Sequence, residues 1–354
     1  MAIISTGLQA SASLPRWFTP AAIVASFSIA FAGFTLSSVG QEDGPSLVGI
    51  ALAGFALYLA ATVLISRLVE GRRKAADRLV TSLVTAAFAL AVIPLVSLAW
   101  TVITNGLARL DIDFFSNSMR NVVGPGGGAL HAIVGTLELT LIASLISVPV
   151  GIMTAIYLVE YGRGRLARAV TFFVDVMTGI PSIVAGLFAF TLFLVLLGPA
   201  AAINGFAGAI ALSVLMIPVV VRATEEMLKI VPNELREASY ALGVPKWLTI
   251  VKVVIPTALA GIATGVIIAI ARVIGETAPL LLAAGFTTSM NYNPFADKMM
   301  TLPVFVFTSF ANQGIDTQSY LDRSWAGALT LMLIVMILNL LARLISKFFS
   351  PKGS

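Results

Sequence analysis

The chain has 354 residues, of which 58% are hydrophobic and 11% are charged, whereas a soluble domain carries roughly 25% charged residues. Its net charge of +5 comes from basic residues spread over short segments between apolar runs, which argues against a nucleic-acid interface. The lack of cysteine and the single histidine exclude a disulfide framework, a thiolate nucleophile and a metal site built from a Cys or His cluster.

Eight apolar runs have about the length of ~20 residues that crosses the hydrocarbon of a bilayer. They are continuous rather than alternating, which favours spanning helices over a barrel. The sequence therefore predicts an all-α polytopic membrane protein. The candidate spans are residues 20–39, 46–66, 79–103, 131–159, 170–198, 204–221, 254–285 and 325–347.

The N-terminal residues 1–78 are predicted to form a transmembrane hairpin and a basic cytoplasmic linker. Residues 79–354 hold the other six spans, which would form the core of the protein. Three long segments connect these six spans, 104–130 and 286–324 on one side of the membrane and 222–253 on the other. The segment 222–253 is polar and helix-prone, which makes it a candidate for contact with a partner.

Lysine and arginine are concentrated on one side of this arrangement. Because the number of spans is even, both termini lie on the same side, and the segments of that side hold 17 of the 22 basic residues. Cytoplasmic loops retain positive charge. Residues 67–78, 160–169 and 222–253, together with both termini, are therefore predicted to face the cytoplasm.

A glycine-rich stretch, residues 124–128, superficially resembles a phosphate-binding loop. Such a loop requires Lys-Ser or Lys-Thr after its last glycine, and neither follows here. We interpret the stretch as a flexible hinge. Since no other segment carries a nucleotide-binding motif, any ATP hydrolysis must belong to another chain.

The inner segment carries clear helix signals. Pro232 is placed to start a helix and Gly243 to end it. A second short helix is predicted over residues 244–254, and Pro256 marks the start of the next span. An apolar stripe suited to docking in a groove of a partner is predicted on the first helix, at Leu235, Ala238 and Leu242.

The same segment resembles the membrane subunits of ATP-binding-cassette importers. Their signature is Glu-Ala-Ala, three residues, Gly, nine residues, then Ile-x-Leu-Pro. This sequence has Glu237-Ala238-Ser239, then Gly243, then Val253-Val254-Ile255-Pro256, so the spacing is intact and the departures are changes of side-chain size. The resemblance implies that Glu237, Ala238, Ser239, Gly243 and Pro256 belong to a coupling segment that contacts the ATPase.

Other stretches resemble the phosphate-specific branch of this family, and within it the A-type permease that pairs with a related C-type one. The resemblance covers about residues 80 to 347, and residues 1 to 75 lie outside it. The stretches are Gly135-Thr136-Leu137, Ser147-Val148-Pro149-Val150-Gly151, Tyr157 to Gly162, Asp175 with Gly179 to Phe188, and Ala271-Arg272-Val273-Ile274-Gly275-Glu276-Thr277-Ala278-Pro279-Leu280.

Arg272 and Glu276 are charged residues near the middle of the predicted span 254–285. A charged side chain at that depth costs at least about 2.5 to 3.5 kcal/mol, so each should face a polar path or a partner. At positions i and i+4 they are predicted to share a helix face and to pair. The guanidinium could donate two hydrogen bonds to phosphate oxygens. Glu276 could pair with Arg272 in the interval between the passage of one phosphate ion and the next. The alternative is a structural ion pair that locks two helices.

The resemblance implies a permease subunit of an ATP-driven phosphate importer in a bacterial inner membrane, with no catalytic site of its own. It implies as partners a C-type permease subunit, two copies of a cytoplasmic ATPase and an extracytoplasmic phosphate-binding protein. ATP and Mg would be bound by the ATPase, and this chain would carry no cofactor.

Three alternatives are open from the sequence. An importer of another oxyanion, such as sulfate or molybdate, would keep the coupling segment but not the stretch around Arg272. A secondary transporter would need an ion-coupling site of its own. A membrane sensor or scaffold would need neither coupling helices nor a buried charge pair.

Overall fold

The computed structural model describes residues 13–37 and 45–349, and every regular element in these ranges is helical. Both chain termini, whose orientation the sequence predicts, lie outside the described residues. The main helices are α1 (Phe18–Ser37), α2 (Leu47–Val69), α3 (Arg72–Gly106), α4 (Ile112–Ser116), α5 (Leu130–Ile156), α6 (Gly164–Thr178), α7 (Ser182–Leu197), α8 (Gly205–Ile230), α9 (Asn233–Ala241), α10 (Lys246–Thr249), α11 (Ile255–Val273), α12 (Ala278–Ala283), α13 (Leu302–Ala311) and α14 (Thr317–Phe349).

The predicted all-α membrane fold is confirmed. Within the described ranges, seven helices are long and apolar enough to cross a membrane, and the bent pair of α6 and α7 makes an eighth candidate. Two of the seven include a π-helical turn, Tyr157–Tyr161 after α5 and Ile250–Val254 between α10 and α11.

The span predicted at 170–198 is bent. Helices α6 and α7 meet at an angle of 108°, and the bend lies at Gly179-Ile180-Pro181. Pro181 disfavours helical geometry at Ile180, and it can precede a new helix because it has no N–H to satisfy. The stretch is apolar throughout, but the helix axis changes direction at the bend.

The span predicted at 254–285 is wrong at both ends. The helix already begins at Lys246 and runs unbroken to Val273, so the separate second coupling helix predicted at 244–254 is part of a spanning helix. Pro256 lies within this helix, just after its π-helical turn, rather than at its start. Beyond Val273 the chain turns and α12 begins, because a continued helix would drive the Pro279 ring into the carbonyl of Gly275.

The chain divides into two compact units, Met1–Ala99 and Trp100–Ser354. In the first unit, α1 packs closely on α2 because Gly54 leaves room for the Phe27 ring, which would lie 2.9 Å from a Cβ at that position. The Tyr58 hydroxyl and Ser82 Oγ are 3.1 Å apart and join α2 to α3.

The second unit is built around α5 and α8. Their contact is close because Gly151 has no side chain, and a Cβ there would lie 2.6 Å from Cγ1 of Val220. Leu139, Ala143 and Met216 are fully buried in the core that these helices form. Helix α11 packs against α8 and α14, and α12 packs against α7.

The glycine-rich stretch predicted as a hinge is held by two arginines of the second unit. Arg323, which is 1% exposed, donates from Nη1 to the carbonyls of Gly124 and Gly126 at 2.7 and 3.0 Å. Arg109 donates to the carbonyl of Gly127 at 2.8 Å. All three glycines have positive φ, between 64° and 98°, a conformation that glycine adopts without steric cost.

Candidate functional site

The predicted coupling helix is α9, and it starts and ends where the sequence indicates. Pro232 directly precedes its first residue, and Gly243 follows its end with φ of 75°. The Gly243 N–H donates to the carbonyl of Tyr240 at 2.9 Å, and the Val244 N–H donates to that of Ser239 at 3.2 Å. A left-handed glycine at this position is a common helix stop. At Gly243 the chain changes direction, and α10 follows.

The signature residues of α9 lie on different faces. Glu237 and Ala238 are exposed. Ser239 is buried, and its Oγ lies 2.8 Å from Oγ1 of Thr249. A serine in place of the family's alanine thus joins α9 to α10.

The predicted apolar stripe is present, and its side chains are exposed on the surface of the described chain. Leu235 is 41% exposed and Leu242 is 83% exposed, and Ala238 lies between them on the exposed surface. Apolar side chains at this spacing on one helix suit insertion into a groove.

A buried ion pair attaches α9 to the end of α5. Arg236 Nη2 lies 2.8 Å from Oε1 of Glu160, and the two side chains are 12% and 5% exposed. Arg236 also donates to the carbonyl of Leu228 at 2.9 Å and to that of Val231 at 2.6 Å, at the end of α8. Lys246 donates to the carbonyl of Glu160. One arginine therefore joins α9 to two long helices.

The sequence predicts that Arg272 and Glu276 share one helix face, and this prediction is wrong. Arg272 is in the last turn of α11. Glu276 lies beyond the helix end, in a turn where its N–H donates to the carbonyl of Val273 at 3.1 Å. Within the described residues neither side chain has an ion pair or a hydrogen bond, so the predicted pairing is absent. Arg272 is exposed and Glu276 is half-buried.

Both side chains instead line one cavity of about 210 Å³. The bend between α6 and α7 supplies one wall and α8 supplies another. The Ser182 hydroxyl, at the first residue of α7, has no hydrogen-bond partner in the described chain. The cavity is lined by Met177, Thr178, Ile180, Ser182, Leu215, Pro218, Val219, Arg272, Val273 and Glu276.

Sequence reasoning missed Ser182 and the bend before it. The signal was available, because an apolar span interrupted by glycine and proline is a pointer to a binding site in transporters. Gly179 with Pro181 and Gly275 with Pro279 are two such interruptions. The structure brings the residues beside both into the same cavity.

A charge network lies at one end of α8. Arg222 pairs with Asp175 of α6 and with Glu225, at 2.6 Å. Lys229 pairs with Glu225 at 2.7 Å. Asp175 is thus engaged in an ion pair between two helices.

Residues 147–353 match the family model described as the binding-protein-dependent transport system inner membrane component. This match spans more than half of the chain. The chain belongs to this family of transport permeases. The matched range includes the cavity around Arg272, the coupling helix and Glu160.

Two relatives show how far the similarity of this permease extends. The chain is 47% identical over 277 residues to phosphate transport system permease protein PstA 1 of Mycobacterium tuberculosis (strain ATCC 25618 / H37Rv), covering 77% of this chain and 88% of the relative. It is 39% identical over 278 residues to phosphate transport system permease protein PstA of Yersinia pestis, covering 77% and 90%.

A solved structure shares the fold of this permease. A chain of a bacterial alginate ABC transporter, crystallised with a pentasaccharide-bound periplasmic protein, aligns with a TM-score of 0.57 at 13% identity. The alignment covers 81% of this chain and 100% of that one. At this identity the likeness concerns architecture only.

Proposed function

We propose that this chain is the permease subunit of an ATP-driven importer of inorganic phosphate in a bacterial inner membrane. The observation that carries the proposal is the 47% identity to a phosphate permease over 88% of that protein. Sulfate and molybdate are disfavoured, because similarity at this level extends along most of the chain rather than to the coupling segment alone.

The cavity beside Arg272 is the proposed place where phosphate passes. A guanidinium can bind two phosphate oxygens at once, and in the described part of the chain Arg272 has no carboxylate partner that an anion would have to displace. The free Ser182 hydroxyl can donate a further hydrogen bond. Glu276 lines the same cavity, and its negative charge would weaken phosphate binding enough for release. These features favour a role in the path over a structural lock.

The proposed coupling runs through α9. Family membership implies a second permease subunit, an external binding protein and a separate ATPase, and ATP with Mg acts through that ATPase. We propose that the second permease is of the C type, that two ATPase copies are present, and that the binding protein carries phosphate. The stripe of Leu235, Ala238 and Leu242 would dock into the ATPase, and Gly243 would keep α9 at its angle to α10.

Phosphate uptake by cells that lack the native gene tests the function. The wild-type chain should restore uptake of radiolabelled phosphate but not of sulfate, and Arg272→Gln should abolish it while the complex still assembles. Arg272→Lys should restore little phosphate uptake, because an ammonium lacks the planar set of N–H donors with which a guanidinium binds two oxygens. Wild-type uptake by the double variant Arg272→Gln, Glu276→Gln would exclude a transport role for these residues. Uptake of sulfate instead of phosphate would refute the substrate assignment.

The orientation in the membrane is tested separately. The basic segments 67–78, 160–169 and 222–253 are proposed to face the cytoplasm. The chain has no cysteine, so Lys74→Cys and Lys229→Cys each introduce a single label site. An impermeant thiol reagent should label neither in intact cells and both after permeabilisation. Labelling from outside would overturn the orientation.

A further inference from the structure

The N-terminal unit contains a groove of about 610 Å³, formed by α1, α2 and α3. It lies outside residues 147–353, which the family model matches, and the transport mechanism gives it no role. Its lining changes along its length from charged to hydroxyl-bearing to apolar.

The charged end lies where α2 finishes and α3 begins. Glu70 and Arg78 neutralise each other through an ion pair of 2.6 Å. Lys74 also lines this end, is exposed, and has no ion pair or hydrogen bond within the described residues. The surrounding segment 67–78 has five basic and two acidic residues, a net charge of +3. Asp77 lines this end as well, so the four charged lining residues sum to zero. The net positive charge comes from Arg67, Arg72 and Arg73, which lie beside the groove in the same segment. The segment as a whole therefore attracts an anion.

The middle of the groove carries hydroxyl groups from α2 and α3, including Thr62 and Thr85. Thr62 is 2% exposed, and its Oγ1 has no hydrogen-bond partner among residues 13–37 and 45–349. Buried hydroxyls in proteins are nearly always hydrogen-bonded, so this one points to an acceptor supplied by a bound molecule.

The remaining part of the groove is apolar. Ile23 and Phe27 of α1, Phe55 of α2, and Ala86 and Ala89 of α3 line it. The small alanines leave the space open. An occupant must therefore be anionic at one end, must accept a hydrogen bond in the middle and must be hydrocarbon at the other end.

We propose that this groove binds one anionic glycerophospholipid. Its phosphate lies at Lys74, a glycerol ester carbonyl accepts from Thr62, and an acyl chain runs along Phe27, Phe55 and Ala86. Anionic lipids are attracted to basic segments at a membrane surface, so the charge of residues 67–78 favours such a lipid over a zwitterionic one.

The test compares lipid retention by the purified full-length chain after incubation with equal amounts of phosphatidylglycerol and phosphatidylcholine of the same acyl chains. Native mass spectrometry counts the bound lipids. The wild type should retain at least several-fold more phosphatidylglycerol. Thr62→Val, which removes the hydroxyl and keeps the shape, and Lys74→Glu should each lower that retention several-fold.

Two matched controls separate the groove from general effects. Ala86→Phe fills the groove and should abolish retention, whereas Ala87→Phe, on an exposed neighbour that does not line it, should not. Lys347→Glu makes the same charge change as Lys74→Glu in the last turn of α14 and should leave retention unchanged. Equal retention by the wild type, Thr62→Val and Ala86→Phe would overturn the proposal. So would loss of a partner subunit from Ala86→Phe with lipid retention intact, because the groove would then hold a protein helix.

Discussion

Removal of the Arg236–Glu160 ion pair should uncouple ATP hydrolysis from transport. Arg236→Gln leaves the Glu160 carboxylate, whose side chain is 5% exposed, without its charged partner. Breaking a buried pair in this way costs about 3 to 5 kcal/mol. The variant also loses the hydrogen bonds to the carbonyls of Leu228 and Val231, at 2.9 and 2.6 Å.

The magnitude follows from these contacts. Because each 1.4 kcal/mol is a factor of about ten, a loss of about 3 kcal/mol shifts the balance between attached and detached α9 by more than a hundredfold. Glu160→Gln should cost less, since Arg236 keeps both backbone acceptors and an amide oxygen in place of the carboxylate. The double variant should cost less than Arg236→Gln alone, because no buried charge is stranded.

The assay is the assembled complex in sealed vesicles, with phosphate uptake and ATP hydrolysis measured on the same sample. Arg236→Gln should hydrolyse ATP but move much less phosphate per ATP than the wild type, and the double variant should recover part of the loss. The control is Lys229→Gln, which breaks the ion pair to Glu225 from a lysine that is 62% exposed. Such a pair is worth about 0.3 to 0.5 kcal/mol. Normal phosphate per ATP in Arg236→Gln would refute the reasoning.

Three further changes test other parts of the molecule. Gly243→Val should cost about 1 to 2 kcal/mol in left-handed backbone strain and lower uptake in the assembled complex. The control Ala241→Val, which places the same side chain on an exposed residue at the end of α9, should not. Ser182→Ala should raise the phosphate concentration for half-maximal uptake about tenfold or more, since a hydrogen bond to a charged group is worth about 1.5 to 3 kcal/mol, and Ser182→Thr should preserve it. The hydrogen-bonded ion pair with Arg78 lowers the pKa of Glu70 from 4.5 to about 2, so this pair stabilises the fold above pH 4.5 and its contribution is lost as the pH falls toward 2. Thermal unfolding from pH 6 to 3 should show a smaller fall in stability for Glu70→Gln than for the wild type.

Helix α9 could be predicted from the sequence because its signals are local. Pro232 and Gly243 act on the backbone beside them, and the spacing from Glu237 to Pro256 lies within one segment. These positions hold in the structure, with Gly243 at φ of 75°. The second helix and the start of the next span at Pro256 differ from the prediction, because a π-helical turn joins α10 to α11 without a break.

The cavity could not be predicted in the same way. The pairing of Arg272 with Glu276 assumed an unbroken helix, and hydropathy counts apolar residues without reporting direction. The ion pair of Glu160 with Arg236 joins positions 76 residues apart, so no local pattern indicates it. The interruptions at Gly179 and Gly275 were visible in the sequence, but only packing shows that they meet.

The packing that brings the two interruptions together depends on Gly186. Helix α7 begins after the first interruption and α12 after the second, and the two helices are in contact. A Cβ at Gly186 would lie 2.6 Å from Cα of Pro279 and 2.9 Å from its carbonyl oxygen. These are backbone atoms, so relief requires one helix to move.

Gly186→Ala should therefore separate α7 from α12 and displace Ser182 relative to Arg272. Overpacking of this kind costs about 1 to 3 kcal/mol. Gly33→Ala is the matched control, because it lies within α1 and a Cβ there has no neighbour within 4 Å among the residues that the structure describes. Gly33→Ala should leave thermal stability and uptake unchanged or slightly improved, since alanine favours helices. Gly186→Ala should lower uptake and raise the phosphate concentration for half-maximal uptake. If Gly186→Ala matched Gly33→Ala in uptake and in the phosphate concentration for half-maximal uptake, the contact of α7 with α12 would not be what holds Ser182 beside Arg272.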